Sequence, residues 1–193
     1  MTRTLFKKLT ARAALLAVAA TMAGCTANYA TGNASSVLLI ITAINGGSPM
    51  KSDVLTDGSI FNDPTVLSIA VRFKNPNIDT VPSIPNAVII ERYEVKYRRS
   101  DGKEVEGQDV PFRISGNVAA AFDVKTSGTD PLSIDVVRAQ AKLEPPLRNL
   151  QGGGGAIIVT MFADITLHGR TISGQPVTAK GSLQIDFADW ADN

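Results

Sequence analysis

His168 is the single histidine and Cys25 the single cysteine of this 193-residue chain, so the side chains that most often act as bases or nucleophiles are nearly missing. A zinc site built on one imidazole would need mostly carboxylate ligands, an unusual set for that metal. Asp164 precedes His168 by four residues, but in an extended chain that separates the pair by about 13 Å, beyond the reach of a general-base dyad. His168 is therefore expected to be an exposed imidazole near a strand end. No Gly-x-Ser-x-Gly elbow occurs to present a hydrolase serine. Gly152-Gly153-Gly154-Gly155 runs into Ala156-Ile157-Ile158-Val159 and not into the Lys and Ser/Thr of a phosphate cradle, so the four glycines read as a flexible connection.

Two acidic groups have the oxygen ligands that calcium favours, Asp53, Asp57 and Asp63 in one loop region and Asp186, Asp189 and Asp192 at the C-terminus. Neither has the alternating spacing of an EF-hand loop, and solvated turn and strand-end carboxylates are the expected reading. Lys96, Arg98, Arg99 and Lys103 are interleaved with Glu94, Glu104 and Glu106, a pattern for cross-strand pairing more than for an anion site. Phe187 and Trp190 offer an aromatic edge for a ligand or, as such residues more commonly do, a plug for one end of the fold. No metal, no cofactor and no enzymatic activity is expected from this inventory.

The start of the chain differs from the rest. Arg3, Lys7, Lys8 and Arg12 are followed by the unbroken apolar run Ala13-Ala14-Leu15-Leu16-Ala17-Val18-Ala19-Ala20, the basic and apolar regions of an export signal. From Ala13 to Gly24 there are 12 residues, against roughly 20 needed to span a bilayer. Met22-Ala23-Gly24-Cys25 closes the run and resembles the lipobox of bacterial lipoprotein precursors, with Met22 in the place of the usual Leu. The resemblance implies cleavage between Gly24 and Cys25, acylation of Cys25 and a membrane anchor without any protein segment in the bilayer, because two or more acyl chains hold firmly. Thr26 after the cysteine, in place of Asp, resembles outer-membrane-directed lipoproteins; in a source with two membranes the protein is expected on the periplasmic side of the outer one. Ordinary secretion with cleavage after Ala23 is the alternative, but the sole cysteine has no internal disulfide partner.

Residues 1–24 are thus expected to be a signal peptide, 25–35 a lipidated cysteine and flexible tether, and 36–193 a single domain. The tether spans roughly 16 to 19 Å as a coil. Loss of the signal's four positive charges turns the formal charge from +1 to −3. With no cluster of Lys and Arg, nucleic acid is not an expected partner. The 169 remaining residues are enough to bury roughly 70% of the unfolded chain's surface without disulfides or a metal.

From Val37 onward the pattern has a period of two, as half-buried strands require. Val37–Ile41 is a short apolar run. Ile69, Val71 and Phe73 alternate with polar neighbours, as do Ile89, Tyr93, Val95 and Tyr97 against Arg92, Glu94, Lys96 and Arg98. Ile157 to Leu167 and Val177 to Phe187 form the clearest pair, joined through the turn residues of Gly169 to Pro176. Ser100-Asp101-Gly102-Lys103 signals another hairpin; with Asp101 and Gly102 central, Arg99 would face Glu104. Asp130-Pro131 could begin either a helix running to Pro145-Pro146 or a strand from Leu132 to Val137. The fold expected is an all-β, antiparallel immunoglobulin- or fibronectin-like sandwich of about seven to eight strands with at most one short helix. An outer-membrane barrel would need aromatic girdles that one Trp, three Tyr and seven Phe do not supply.

The strand from Leu67 to Lys74, the Asn75-Pro76-Asn77 after it, a loop, an apolar strand containing Tyr93, a hairpin and Gly107 resemble the water-stress-and-hypersensitive-response domain of late-embryogenesis-abundant proteins over residues 66 to 170. That resemblance implies a sandwich fold and a non-enzymatic, stress-associated or structural module, with no catalytic residue to carry over. The expected function is a membrane-anchored envelope lipoprotein with a structural role or a protein or polymer partner. A carrier of an apolar ligand between the sheets is the alternative, and a hydrolase the remotest.

Overall fold

Eight strands realise the two-residue alternation in a computed structural model that describes residues 35–75, 86–125 and 127–190. They are β1 (Val37–Ile44), β2 (Met50–Asp53), β3 (Asp63–Phe73), β4 (Val88–Arg99), β5 (Ile114–Phe122), β6 (Asp130–Val137), β7 (Val159–Thr171) and β8 (Pro176–Ala188). A three-stranded sheet has the order β1-β3-β6 and a five-stranded sheet the order β2-β8-β7-β4-β5. All pairings are antiparallel except that of β2, which runs parallel to β8 with Met50 opposite Ile185 and Asp53 opposite Ala188. The protein is an all-β sandwich. The segments expected to be a signal peptide and, except for Ser35, a lipidated tether lie outside the described residues. Ser35, assigned above to the tether, is already buried, and its Oγ accepts a hydrogen bond from the Val37 amide. Among the described residues no helix is long and apolar enough to cross a membrane.

The inward faces meet in one apolar layer. Leu67, Ile69 and Val71 of β3 face Val95 of β4, Ile165 and Leu167 of β7 and Ile185 and Phe187 of β8, each at most 2% exposed. Tyr97 crosses the layer and donates its hydroxyl to the Val136 carbonyl of β6, and burial raises the pKa of that phenol. Close backbone approach demands glycine at two positions. A Cβ on Gly116 would lie 2.3 Å from the ring of Tyr93, its cross-strand partner. One on Gly169 would lie 2.4 Å from the Ile89 carbonyl oxygen.

The second contact has a cause that the sequence pattern did not reveal. Along β4 the pairing with both neighbours slips between Ile90 and Arg92: against β7 Glu91 is the extra residue of a β-bulge, and against β5 the extra residue lies on β5, at Val118-Ala119. The slip changes the face on which later residues stand, so Ile90, and not Ile89, shares the core with Tyr93, Val95 and Tyr97. Other expectations are also corrected. Ile157 precedes β7 and is more than half exposed. At the 100–102 turn Arg99 faces Lys103 and not Glu104, because the loop has three residues: the Arg99 amide donates to the Lys103 carbonyl, and Gly102 takes φ 84°. Arg99 instead pairs with Asp101. The 171–175 turn has the same form, with Gly174 at φ 87°. The segment from Asp130 resolves as a strand followed by one helical turn, α1 (Ala139–Lys142), and a 3-10 turn at Leu147–Leu150.

That helical turn carries a charge into the interior. Lys142 is 2% exposed, and its Nζ lies 2.8 Å from Asp63 Oδ1 at the start of β3. The other carboxylate oxygen of Asp63 accepts from Ser52 Oγ of β2 at 2.5 Å. Three segments that are distant in sequence converge on one carboxylate. Removing one partner of a buried pair strands the other charge, which generally destabilises by about 3 kcal/mol or more. Lys142→Met is therefore expected to lower the urea midpoint by an amount equivalent to about 3 kcal/mol, and the double variant with Asp63→Asn to recover at least half of that loss. Gly169→Ala meets rigid backbone and is expected to destabilise by about 1 to 3 kcal/mol in the same measurement.

Candidate functional site

Because neighbouring residues of a strand point to opposite faces, the partners of the core residues on β4, β7 and β8 line up on the outer side of the five-stranded sheet. The register arranges them in rows: Arg92, His168 and Thr178; Glu94, Thr166 and Lys180; Lys96, Asp164 and Ser182; Arg98, Phe162 and Gln184. All residues of the first three rows except Arg92 border an open cleft of about 800 Å3. It combines two lysines, two carboxylates, three hydroxyls and the imidazole. A second groove of about 550 Å3 lies where the end of β1 approaches β8, between Ile41, Ile44 and Pro49 on one side and Arg98 and Phe162 on the other.

His168 lies near the end of its strand, as its sequence context suggested, but is less exposed than expected. It sits within β7, is 28% exposed in its side chain, and buries an Nε2 that has no hydrogen-bond partner among the described residues. Its neighbour is Glu94 of β4, with Oε1 3.7 Å from Nε2, too long for a hydrogen bond. Partial burial lowers the imidazole pKa below its ordinary value, the charge of Arg92 lowers it further, Glu94 opposes, and Lys180 adds to the lowering. The ion pair with Glu94 thus forms only on acidification. Glu94 itself accepts a hydrogen bond from the Arg92 guanidinium, which holds its carboxyl below the usual range. Asp164 is spoken for by Arg98, whose Nε lies 3.0 Å from Oδ2, while the Arg98 guanidinium stacks 4.4 Å from the Phe162 ring centre. His168 and Asp164 therefore share a cleft but not a bond.

The other residues singled out by sequence fall into separate places. Gly24 and Cys25 lie outside the described residues. Asp53 accepts from the Leu55 amide, the Thr56 hydroxyl and the Trp190 amide, so it ties the C-terminal end of β8 to the edge of β2. Asp63 is the partner of Lys142 described above. Asp186 accepts from Thr160 Oγ1 and Asp189 from the Gly152 amide at 2.6 Å, which anchors the glycine run in place of any ligand; Asp192 lies outside the described residues. Among the described residues no group of three or more His, Cys, Asp and Glu side chains is arranged to hold a metal ion. Glu106 pairs with Arg113 and Lys103 with Asp101. Phe187 is fully buried and presents nothing to a ligand. Trp190 is half-buried, with the Lys51 ammonium 4.9 Å above its ring. The two aromatics do not form a shared exposed edge.

Sequence reasoning missed the row that unites Arg92, His168 and Thr178, since it depends on the bulge at Glu91. The one available signal was the alternation of Arg92, Glu94, Lys96 and Arg98, which was read correctly as an outer face. Compared with known protein families and with curated proteins, the chain matches none.

A depressed histidine pKa has a definite linkage sign. The unfolded chain binds a proton at His168 more readily than the folded one, so stability from this group is full above pH 6.5 and is lost as pH falls through the folded-state pKa. In a proton NMR titration the sole imidazole is expected to show a midpoint below 6.5. His168→Gln is expected to flatten the fall in urea midpoint on acidification below that pH.

Proposed function

We propose that this protein is a lipid-anchored component of a bacterial cell envelope, with a non-catalytic β-sandwich that serves a structural role or binds an envelope protein or polymer. The observation that carries the reading is Met22-Ala23-Gly24-Cys25 at the end of a basic and then apolar leader, ten residues before the first buried residue of the sandwich, Ser35. The resemblance to a water-stress-and-hypersensitive-response domain favours the same non-enzymatic class. So does the chemistry of the cleft: its histidine holds no base or nucleophile in hydrogen-bond contact, and each of its carboxylates is engaged by an arginine. The apolar-carrier reading draws no support from the fold, because Leu67, Ile69, Ile165, Leu167 and Ile185 fill the layer between the sheets.

Expressed in a bacterial host fed an alkyne-tagged fatty acid, the protein is expected to take up label on Cys25. Cys25→Ser is expected to abolish that label and to accumulate as uncleaved precursor on a gel. Equal labelling of both proteins, or an unmodified thiol at Cys25 in the mass spectrum of the mature chain, overturns the anchor.

A further inference from the structure

We infer that the outer face of the five-stranded sheet, between Lys96 of β4 and Lys180 of β8, is a binding site for an acidic polysaccharide. The inference rests on the envelope reading above for its setting and on the geometry of this face for its chemistry. Arg92 and Arg98 are occupied by Glu94 and Asp164. Lys96 and Lys180 are exposed and have no ion-pair partner among the described residues. The register sets them diagonally, two strands apart and one row displaced, so their Cα atoms are roughly 12 Å apart. On flexible four-carbon stems, two charges set this far apart can meet anionic groups spaced along a chain as well as the oxygens of one small anion, and the chain uses both at once.

Between the lysines the floor is made of hydroxyls. Thr166, Thr178 and Ser182 line the cleft, and each both donates and accepts, as the hydroxyls of a sugar do. The His168 ring also lines the cleft, with its Nε2 buried beneath the surface and so a reporter of binding more than a contact. In these four rows the four cations Arg92, Lys96, Arg98 and Lys180 outnumber Glu94 and Asp164, whereas the chain after residue 24 is net negative. The face thus attracts anions on a molecule that otherwise repels them. Other polyanions fit less well. A nucleic acid requires stacking rings along its track and several neutralised phosphates, while the one aromatic ring in these rows, Phe162, is covered by Arg98. A peptide adding as a strand needs a free backbone edge; β7, which floors the cleft between the two lysines, is paired on both sides, whereas β4 from Lys96 and β8 before Ile185 are paired on one side only, so poly-glutamate is the probe that separates this mode from sugar binding.

The test uses the full chain in detergent micelles with three probes of similar length: oligogalacturonate, neutral dextran and poly-glutamate. Oligogalacturonate is expected to bind by calorimetry and to shift the NMR signals of the sole imidazole, with the other two probes weaker. Lys96→Gln combined with Lys180→Gln is expected to lower affinity by at least about tenfold, and Lys103→Gln at the distant turn to leave it unchanged. No binding of oligogalacturonate, equal binding of poly-glutamate, or wild-type affinity in the double variant overturns the proposal. Acyl labelling of Cys25 is measured on the same preparation, so a failure here is distinguished from a failure of the anchor.

Discussion

Lys142 enters the interior of the sandwich as a cation, and the carboxylate of Asp63 is what makes that position tolerable. The pair fixes more than itself. Asp63 opens β3 in the three-stranded sheet, accepts from Ser52 of β2 in the five-stranded sheet, and receives the ammonium from the helical turn between β6 and β7. A buried ion that lost its partner would face a penalty of several kcal/mol, so the two sheets and the connecting turn are held to one mutual arrangement. Tyr97, which donates to Val136 of β6, adds a neutral hydrogen bond across the same layer. Together they supply directional contacts that an apolar core alone does not.

Placement of the outer face depends on a different constraint. The extra residue at Glu91 shifts β4 by one position relative to β7, while on its other side β5 carries the extra residue, Val118 and Ala119 standing against Glu91 alone. It sends the Glu91 side chain to Arg170 and sets Arg92 opposite His168. Without that slip, residues after the bulge would exchange faces, and the charged row would be aimed at the core. Gly169 is the accommodation on the neighbouring strand, since the displaced backbone of Ile89 leaves no room for a Cβ there. A local irregularity in one strand therefore decides which groups border the cleft and which charges surround its imidazole.

Electrostatically the face is ordered by its pairings. Arginine takes the two carboxylates, leaving the lysines to solvent or to a ligand. Arginine's planar fork and weaker hydration suit it to the fixed pairs, while lysine keeps a mobile, strongly hydrated charge. The depressed imidazole pKa follows from partial burial first, with Arg92 and Lys180 adding to it and Glu94 opposing.

By itself the sequence determined the class of fold, since a two-residue period with glycine-bearing turns leaves few architectures other than paired sheets. It located the turn at Ser100–Gly102 to within a residue through Gly102, whose positive φ another residue would resist, and the second hairpin only as lying between Gly169 and Pro176, of which β7 keeps Gly169 to Thr171. It also determined that the only thiol stands at the end of an apolar leader. Tertiary structure alone decided the parallel docking of β2, the burial of Lys142, the strand-then-turn course of residues 130–142 and the meeting of Glu94 with His168. The physical reason is common to all four. Periodicity reports which face a residue occupies, but which residue stands opposite it is set by register between distant segments, and register is chosen by the whole sheet's packing and not by any local run of side chains.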